Sequence, residues 1–112
     1  MIYHLATQDE WEKAGKGEVY TTSSLREEGF IHCSTKDQIT PTANRYYHGR
    51  DDLMLLVIDE KPLVDKLRYE NLEGGKEAFP HLYASLPLSC IMKAIPVHPS
   101  EDGSFSLLNT MV

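Results

Sequence analysis

Five histidines stand among the 112 residues, and two of them, His4 and His32, lie inside stretches that read as strands. An imidazole offers a donor, an acceptor and a stacking face near neutral pH, which suits acid–base work or ligand binding. Ser34 follows His32 at a spacing of two, so both project from one face of an extended segment. His81 and Tyr83 repeat that spacing on a third segment. If these strands are neighbours, one cleft collects their hydrogen-bonding groups and rings. The alternative for each strand histidine is a core residue whose ring nitrogens are bonded within the protein.

Glu70 is the carboxylate best placed to work. It ends a polar-faced segment, Lys66 to Glu70, in which Arg68 shares its face and can hold it ionised. Its plainer alternative is an exposed carboxylate paired with Lys66 or Arg68. Asp51-Asp52 and Asp59-Glu60 read as solvated ends of the apolar run between them. A zinc site from His4, His32, Cys33 and His81 is disfavoured, because His32 and Cys33 are adjacent on a strand and face opposite ways. Neither HxxxH nor CxxC spacing occurs, and no metal is expected. Cys33 reads as a small core residue rather than a nucleophile. Trp11, Tyr46 and Tyr47 fall at helical positions where packing accounts for them.

The elements that must position these groups are short. Residues 2–6 form a strand, and Thr7-Gln8-Asp9-Glu10 is a capping-box pattern opening a helix with Trp11 and Ala14 that ends near Gly15 or Gly17. A second helical turn starts at Ser23 or Ser24 and stops at Gly29. Phe30 to Ser34 is extended. Thr35 with Gln38 and Thr40-Pro41 are competing starts for a helix running to Gly49. Leu53 to Asp59 is the strongest strand, Phe79 to Tyr83 is extended, and Ile91 to Val97 closes the sheet. Two or three short helices followed mostly by strands make an α+β fold with small mixed or antiparallel sheets. Neither GxGxxG nor GxxxxGK[ST] is present, which disfavours Rossmann and P-loop chemistry.

The length fits one domain, residues 1–112. Hydrophobic residues at 41% and charged residues at 25% are globular values, and they disfavour a disordered chain. A net charge of −6 argues against broad binding to a phosphate backbone, so nucleic acid is not the expected partner. It leaves room for a small nucleotide held by one or two arginines. Two cysteines, Cys33 and Cys90, are too few for a disulfide framework. The N-terminal residues lack the pattern of a signal peptide and no run approaches the length of a membrane span, so the expected location is the cytoplasm.

The segments Ile2-Tyr3-His4, Trp11, Glu28-Gly29-Phe30-Ile31-His32-Cys33-Ser34, Leu55 to Asp59, Tyr69-Glu70 and Phe79-Pro80-His81-Leu82-Tyr83 resemble the domain of unknown function 952 family. These are small, mostly bacterial, stand-alone domains. Ala84 departs from the glycine that usually follows the tyrosine in that pattern. The family's arrangement in turn looks like the ADP-ribosyltransferase-like superfamily, two small antiparallel sheets around an NAD cleft. That likeness implies a first-strand histidine matched by His4, a later pair matched by His32 and Ser34, and a third position matched by Glu70 or His81. It implies NAD as co-substrate. His4 and Ser34 would hold ribose hydroxyls, Tyr83 or His32 would pack on the nicotinamide, and Glu70 would stabilise developing positive charge. Arg26, Arg45 or Arg68 would pair the pyrophosphate.

Three readings of function follow. The first is an NAD-using transferase or glycohydrolase, or a relative that processes an ADP-ribose or 2′-phosphate group, and the second a nucleotide-binding module of the same fold without turnover. The third is a small interaction protein with structural histidines. Glu70 inside the cleft favours the first, Glu70 turned outward the second, and histidines with no shared pocket the third.

Overall fold

The computed structural model describes residues 1–72 and 74–107. In chain order these form β1 (Ile2–Thr7), α1 (Gln8–Ala14), β2 (Val19–Tyr20), α2 (Ser23–Glu28), β3 (Ile31–His32), α3 (Lys36–Tyr46) and β4 (Leu53–Ile58). A 3-10 turn (Lys61–Lys66), β5 (Leu67–Glu70), β6 (Phe79–Leu82), β7 (Leu86–Pro87), a second 3-10 turn (Leu88–Cys90) and β8 (Ile91–Val97) complete the chain. The α+β expectation holds, and every strand pair is antiparallel.

Six consecutive apolar residues make β4 a strand buried on both faces, and it takes the centre of a sheet ordered β1-β4-β8. On one face Leu53, Leu55 and Val57 join Tyr3 and Leu5 of β1, packing against Ile39 and Ala43 of α3 and against Phe105 and Leu107. On the other, Leu56 and Ile58 join Ile2 and Ala6 in a core shared with Tyr20, Ile31, Leu82 and Leu86 from the other strands. Those strands form a two-stranded sheet, β2-β7, and a three-stranded sheet, β3-β6-β5. A single bridge, Tyr3 with Ser34, ties β1 to the chain just after β3 through hydrogen bonds of 2.8 and 2.7 Å.

Local chemistry sets the boundaries. The Thr7 hydroxyl accepts from the Glu10 amide at α1, and the Thr22 hydroxyl accepts from the Leu25 amide at α2. Gly29, at φ +92°, turns the chain left-handed out of α2 and into β3, a conformation costly for any residue with a Cβ.

Several expected boundaries move. Of the two possible starts for the third helix, Thr35 is the one used. Its amide donates to Gln38 Oε1 at 3.0 Å while Gln38 Nε2 donates to the Ala78 carbonyl, so Pro41 ends up inside α3. The helix stops at Tyr46 rather than reaching Gly49. Ladder pairing of the third strand ends at His32, because Ser34 turns to pair with Tyr3. Lys66 closes a 3-10 turn instead of opening β5. No helix among the described residues is long and apolar enough to cross a membrane.

Candidate functional site

The sheet β3-β6-β5 has two unlike faces, as strand alternation demands. Ile31 pairs with Leu82, Leu82 with Leu67, and this row enters the core between the sheets. The next row sets His32 opposite His81 and His81 opposite Arg68, on the other face. Glu70 lies opposite Phe79 two residues further along β5. The alternation read in His32 and in Arg68, Glu70 therefore delivers five of the expected site residues, His32, Arg68, Glu70, His81 and Tyr83, to one face, while Ser34 turns aside to pair with Tyr3.

Glu70 is the hub of that face. Its Oε1 accepts from the Tyr83 hydroxyl at 2.5 Å and from His81 Nδ1 at 3.1 Å. Oε2 carries no hydrogen bond among the described residues. The Tyr83 hydrogen bond, then that of His81 and the nearby charge of Arg68, hold the Glu70 carboxyl below the ordinary carboxylate range despite partial desolvation. The same hydrogen bond, with desolvation, raises the Tyr83 phenol. The Arg68 guanidinium lies over the Tyr83 ring, 5.7 Å from its centroid.

His81 is buried, with one ring face stacked on Phe30 at 4.2 Å and 22°. Its Nδ1–H is directed at Glu70, so the neutral ring carries its lone pair on Nε2. Every fully buried side-chain polar atom described has a partner, and Nε2 has none, so it opens on solvent. Beside it, His32 is half exposed and donates from Nε2 to Glu28 Oε2 at 2.6 Å. The His32 and His81 ring centroids are 5.5 Å apart, edge to face.

His4 is built differently. Its Nδ1–H donates to the His32 carbonyl at 2.5 Å, and its Nε2 accepts from the Tyr20 hydroxyl at 2.8 Å. Both ring nitrogens are thus satisfied inside the protein, and burial drives the pKa down to about 4, outweighing the His32 carbonyl that favours the cation. His4 is a neutral core histidine at ordinary pH. It joins β1 to β3 and still forms part of the cleft wall. Cys33, on the core face, is buried, and desolvation pushes its thiol up to about 12, which makes it inert as a nucleophile.

A cleft of about 950 Å³ runs between this face, the start of α2 and α3. His4, His32, Ser34, Glu70 and His81 all line it. Arg45 of α3 and Lys76 supply cations on its wall, and Tyr46 and Tyr47 also line it. Arg68 and Tyr83 do not. With Glu70, Asp65 and Lys66 they line a separate hollow of about 330 Å³, so Glu70 borders both spaces. Of the three candidate arginines, only Arg45 borders the main cleft, and Arg26 borders neither space.

The family described as "Protein of unknown function (DUF952)" matches residues 5–94. The chain belongs to that family. The crystal structure of protein CC0527 from Caulobacter crescentus superposes on this DUF952 chain with a TM-score of 0.88 and 30% identity, covering 98% of this chain and 96% of that one. Its solution NMR structure gives a TM-score of 0.84 and 31% identity, covering 97% and 94%. No curated protein matches the chain.

Three contributors to this DUF952 site were not legible as such in the sequence. Glu28 stands four residues before His32, a spacing that signals contact only within one helix, whereas here the pair spans the turn at Gly29. Tyr20 lies in a two-residue strand with no pattern to mark it. Phe30 shared the alternation of His32 and Ser34, yet its stacking on His81 depends on strand adjacency.

Proposed function

We propose that the chain binds NAD or an NAD-derived nucleotide in the 950 Å³ cleft and cleaves the nicotinamide–ribose bond there. The observation that carries this reading is Glu70, which lines the cleft as a carboxylate oriented through one oxygen by Tyr83 and His81 and left with the other oxygen unengaged. The cleft lies at the upper end of the roughly 300–1,000 Å³ usual for small-molecule and cofactor sites. In cleavage, the C1′–N1 bond breaks, nicotinamide leaves with the electron pair, and the ribosyl centre gains oxocarbenium character. A fixed carboxylate beside that centre favours the transition state over the ground state. Water completes the reaction by forming a C1′–O bond and releasing a proton, which Nε2 of His81 is free to accept. Ser34 supplies a hydroxyl for the ribose, and Arg45 is the cleft-lining arginine for the pyrophosphate. Arg68 and Tyr83 act through Glu70. An ADP-ribosyltransferase-like ancestry for the fold is part of the same proposal.

Nucleotide binding without turnover is the second reading, favoured by His4, whose ring nitrogens are both occupied and leave no free group for proton transfer. Calorimetric titration with NAD, ADP-ribose and nicotinamide, followed by an assay for released nicotinamide, separates the two. The enzyme reading expects saturable NAD binding, with Glu70→Gln retaining it and losing about 10²–10³-fold in nicotinamide release. Binding with no release in the wild type supports the second reading. No heat with any of the three at two temperatures sinks both.

A further inference from the structure

Two histidines on one cleft wall each have one nitrogen fixed by a carboxylate and the other unengaged. His81 is held by Glu70 through Nδ1, and His32 by Glu28 through Nε2. Their rings are 5.5 Å apart on directly paired strand positions, and both line the cleft. The nicotinamide-releasing reading uses Glu70 and leaves this pair, and Glu28, without a joint task. Two carboxylate-held imidazoles, each with one free nitrogen facing a shared cleft, are suited to one chemistry above others. Displacement at a tetrahedral phosphorus needs a proton taken from the incoming oxygen and another given to the departing one.

We propose that His32 and His81 form a general acid–base pair that hydrolyses a phosphodiester of a small ribonucleotide, a 2′,3′-cyclic phosphate being the simplest substrate. Water attacks phosphorus and its proton passes to Nε2 of neutral His81, whose tautomer Glu70 fixes. The bond from phosphorus to the 2′- or 3′-oxygen breaks, and that oxygen takes the proton from Nδ1 of the His32 imidazolium, whose charge Glu28 supports. The product is a phosphomonoester, and proton exchange with solvent resets both rings. Arg45 and Lys76 on the cleft wall complement the phosphate charge, and the hydroxyls of Ser34 and Thr42 lie on the same wall. Phe79, half-buried on the cleft wall, offers stacking surface to a base. Glu28 and Glu70 act as positioning residues here. This inference goes beyond the nicotinamide-releasing reading and does not depend on it, since it requires neither NAD nor attack at C1′.

The test uses the whole chain with uridine 2′,3′-cyclic phosphate and, in parallel, a p-nitrophenyl phosphodiester whose leaving group needs no protonation. The expected result is hydrolysis of both by the wild type. His81→Ala should lower both rates by about 10²–10⁴-fold. His32→Ala should lose a similar factor on the cyclic ester and less than about tenfold on the activated one, a split that a merely structural role would not produce. Circular dichroism checks that each variant is folded, and His32→Asn and His81→Asn replace any that is not. Absence of turnover in the wild type, or folded single variants that keep wild-type rates, overturns the pair. Equal losses on both esters for the His32 variants overturn its role as the acid. Release of phosphomonoester is read apart from release of nicotinamide, so failure of either reaction leaves the other standing.

Discussion

The β1-β4-β8 and β3-β6-β5 sheets use the same kinds of residue to opposite ends. Both faces of the first are covered, by α3 and the 105–107 segment on one side and by the remaining strands on the other, so β4 is apolar at every position. Only one face of the second sheet enters the core. The other face carries histidines, a carboxylate and an arginine that pair with one another or open on the cleft. The histidines show the contrast most sharply. His4 and His81 are almost equally buried, at 7% and 5% exposure, yet His4 has both nitrogens engaged while His81 keeps one. Depth alone does not separate a histidine satisfied within the protein from one with a nitrogen left open to the cleft; the count of unengaged ring nitrogens does.

The largest expected effect falls on the covered sheet. Leu56→Ala, at a fully buried position of β4, should cost about 2–5 kcal/mol in urea unfolding. Leu67→Ala in the half-covered sheet should cost less than half as much, and equal losses would erase the distinction between the sheets. Next comes acid. Burial lowers His4 from 6.5 to about 4, so between those pH values the unfolded chain takes up a proton that the folded chain refuses. Stability is therefore full above the upper value and falls by roughly 3 kcal/mol as pH drops through the window. Unfolding midpoints across that range, together with a ring-carbon NMR titration of His4, check the slope and its source. A His4 that titrates at the ordinary histidine value would remove it as the source of the slope.

Smaller effects sharpen the second sheet. Gly29→Ala forces a Cβ into the left-handed turn that leads into β3 and should cost about 1 kcal/mol, read as a shift in thermal midpoint. Tyr83→Phe should change stability least of all. It removes the strongest of the hydrogen bonds that favour ionised Glu70, so the carboxyl should titrate at higher pH, visible in its side-chain carbon shift. A Glu70 that does not move would detach Tyr83 from the site.

Much of this was readable in the residues themselves, and the reasons are local. The apolar run of β4, the Thr7 cap and the stop at Gly29 need only neighbours in sequence to be understood. So does the alternation that aligns Phe30 with His32, and Arg68 with Glu70, along their own strands. What escaped was set by distant partners. The pairing of Val19–Tyr20 with Leu86–Pro87 joins two-residue strands, too short to show a period, and with it the bond from Tyr20 to His4 was hidden. Likewise, Arg68 and Tyr83 share a face with Glu70, but the side of Glu70 on which a cavity opens depends on α3, α2 and residues 71–72 and 75–77 together.

The bridge between Tyr3 and Ser34 has a consequence for hydrogen exchange. Two amides, one from each residue, close the seam between the covered sheet and the wall of the cleft. Their deuterium uptake therefore reports parting of the two sheets, separately from unfolding of either. If both amides exchange together and faster than those of β4, the cleft widens as a cooperative unit while the covered sheet stays closed. Slowing of the same two amides by an added nucleotide would then measure, in free energy, how strongly a ligand holds that seam shut.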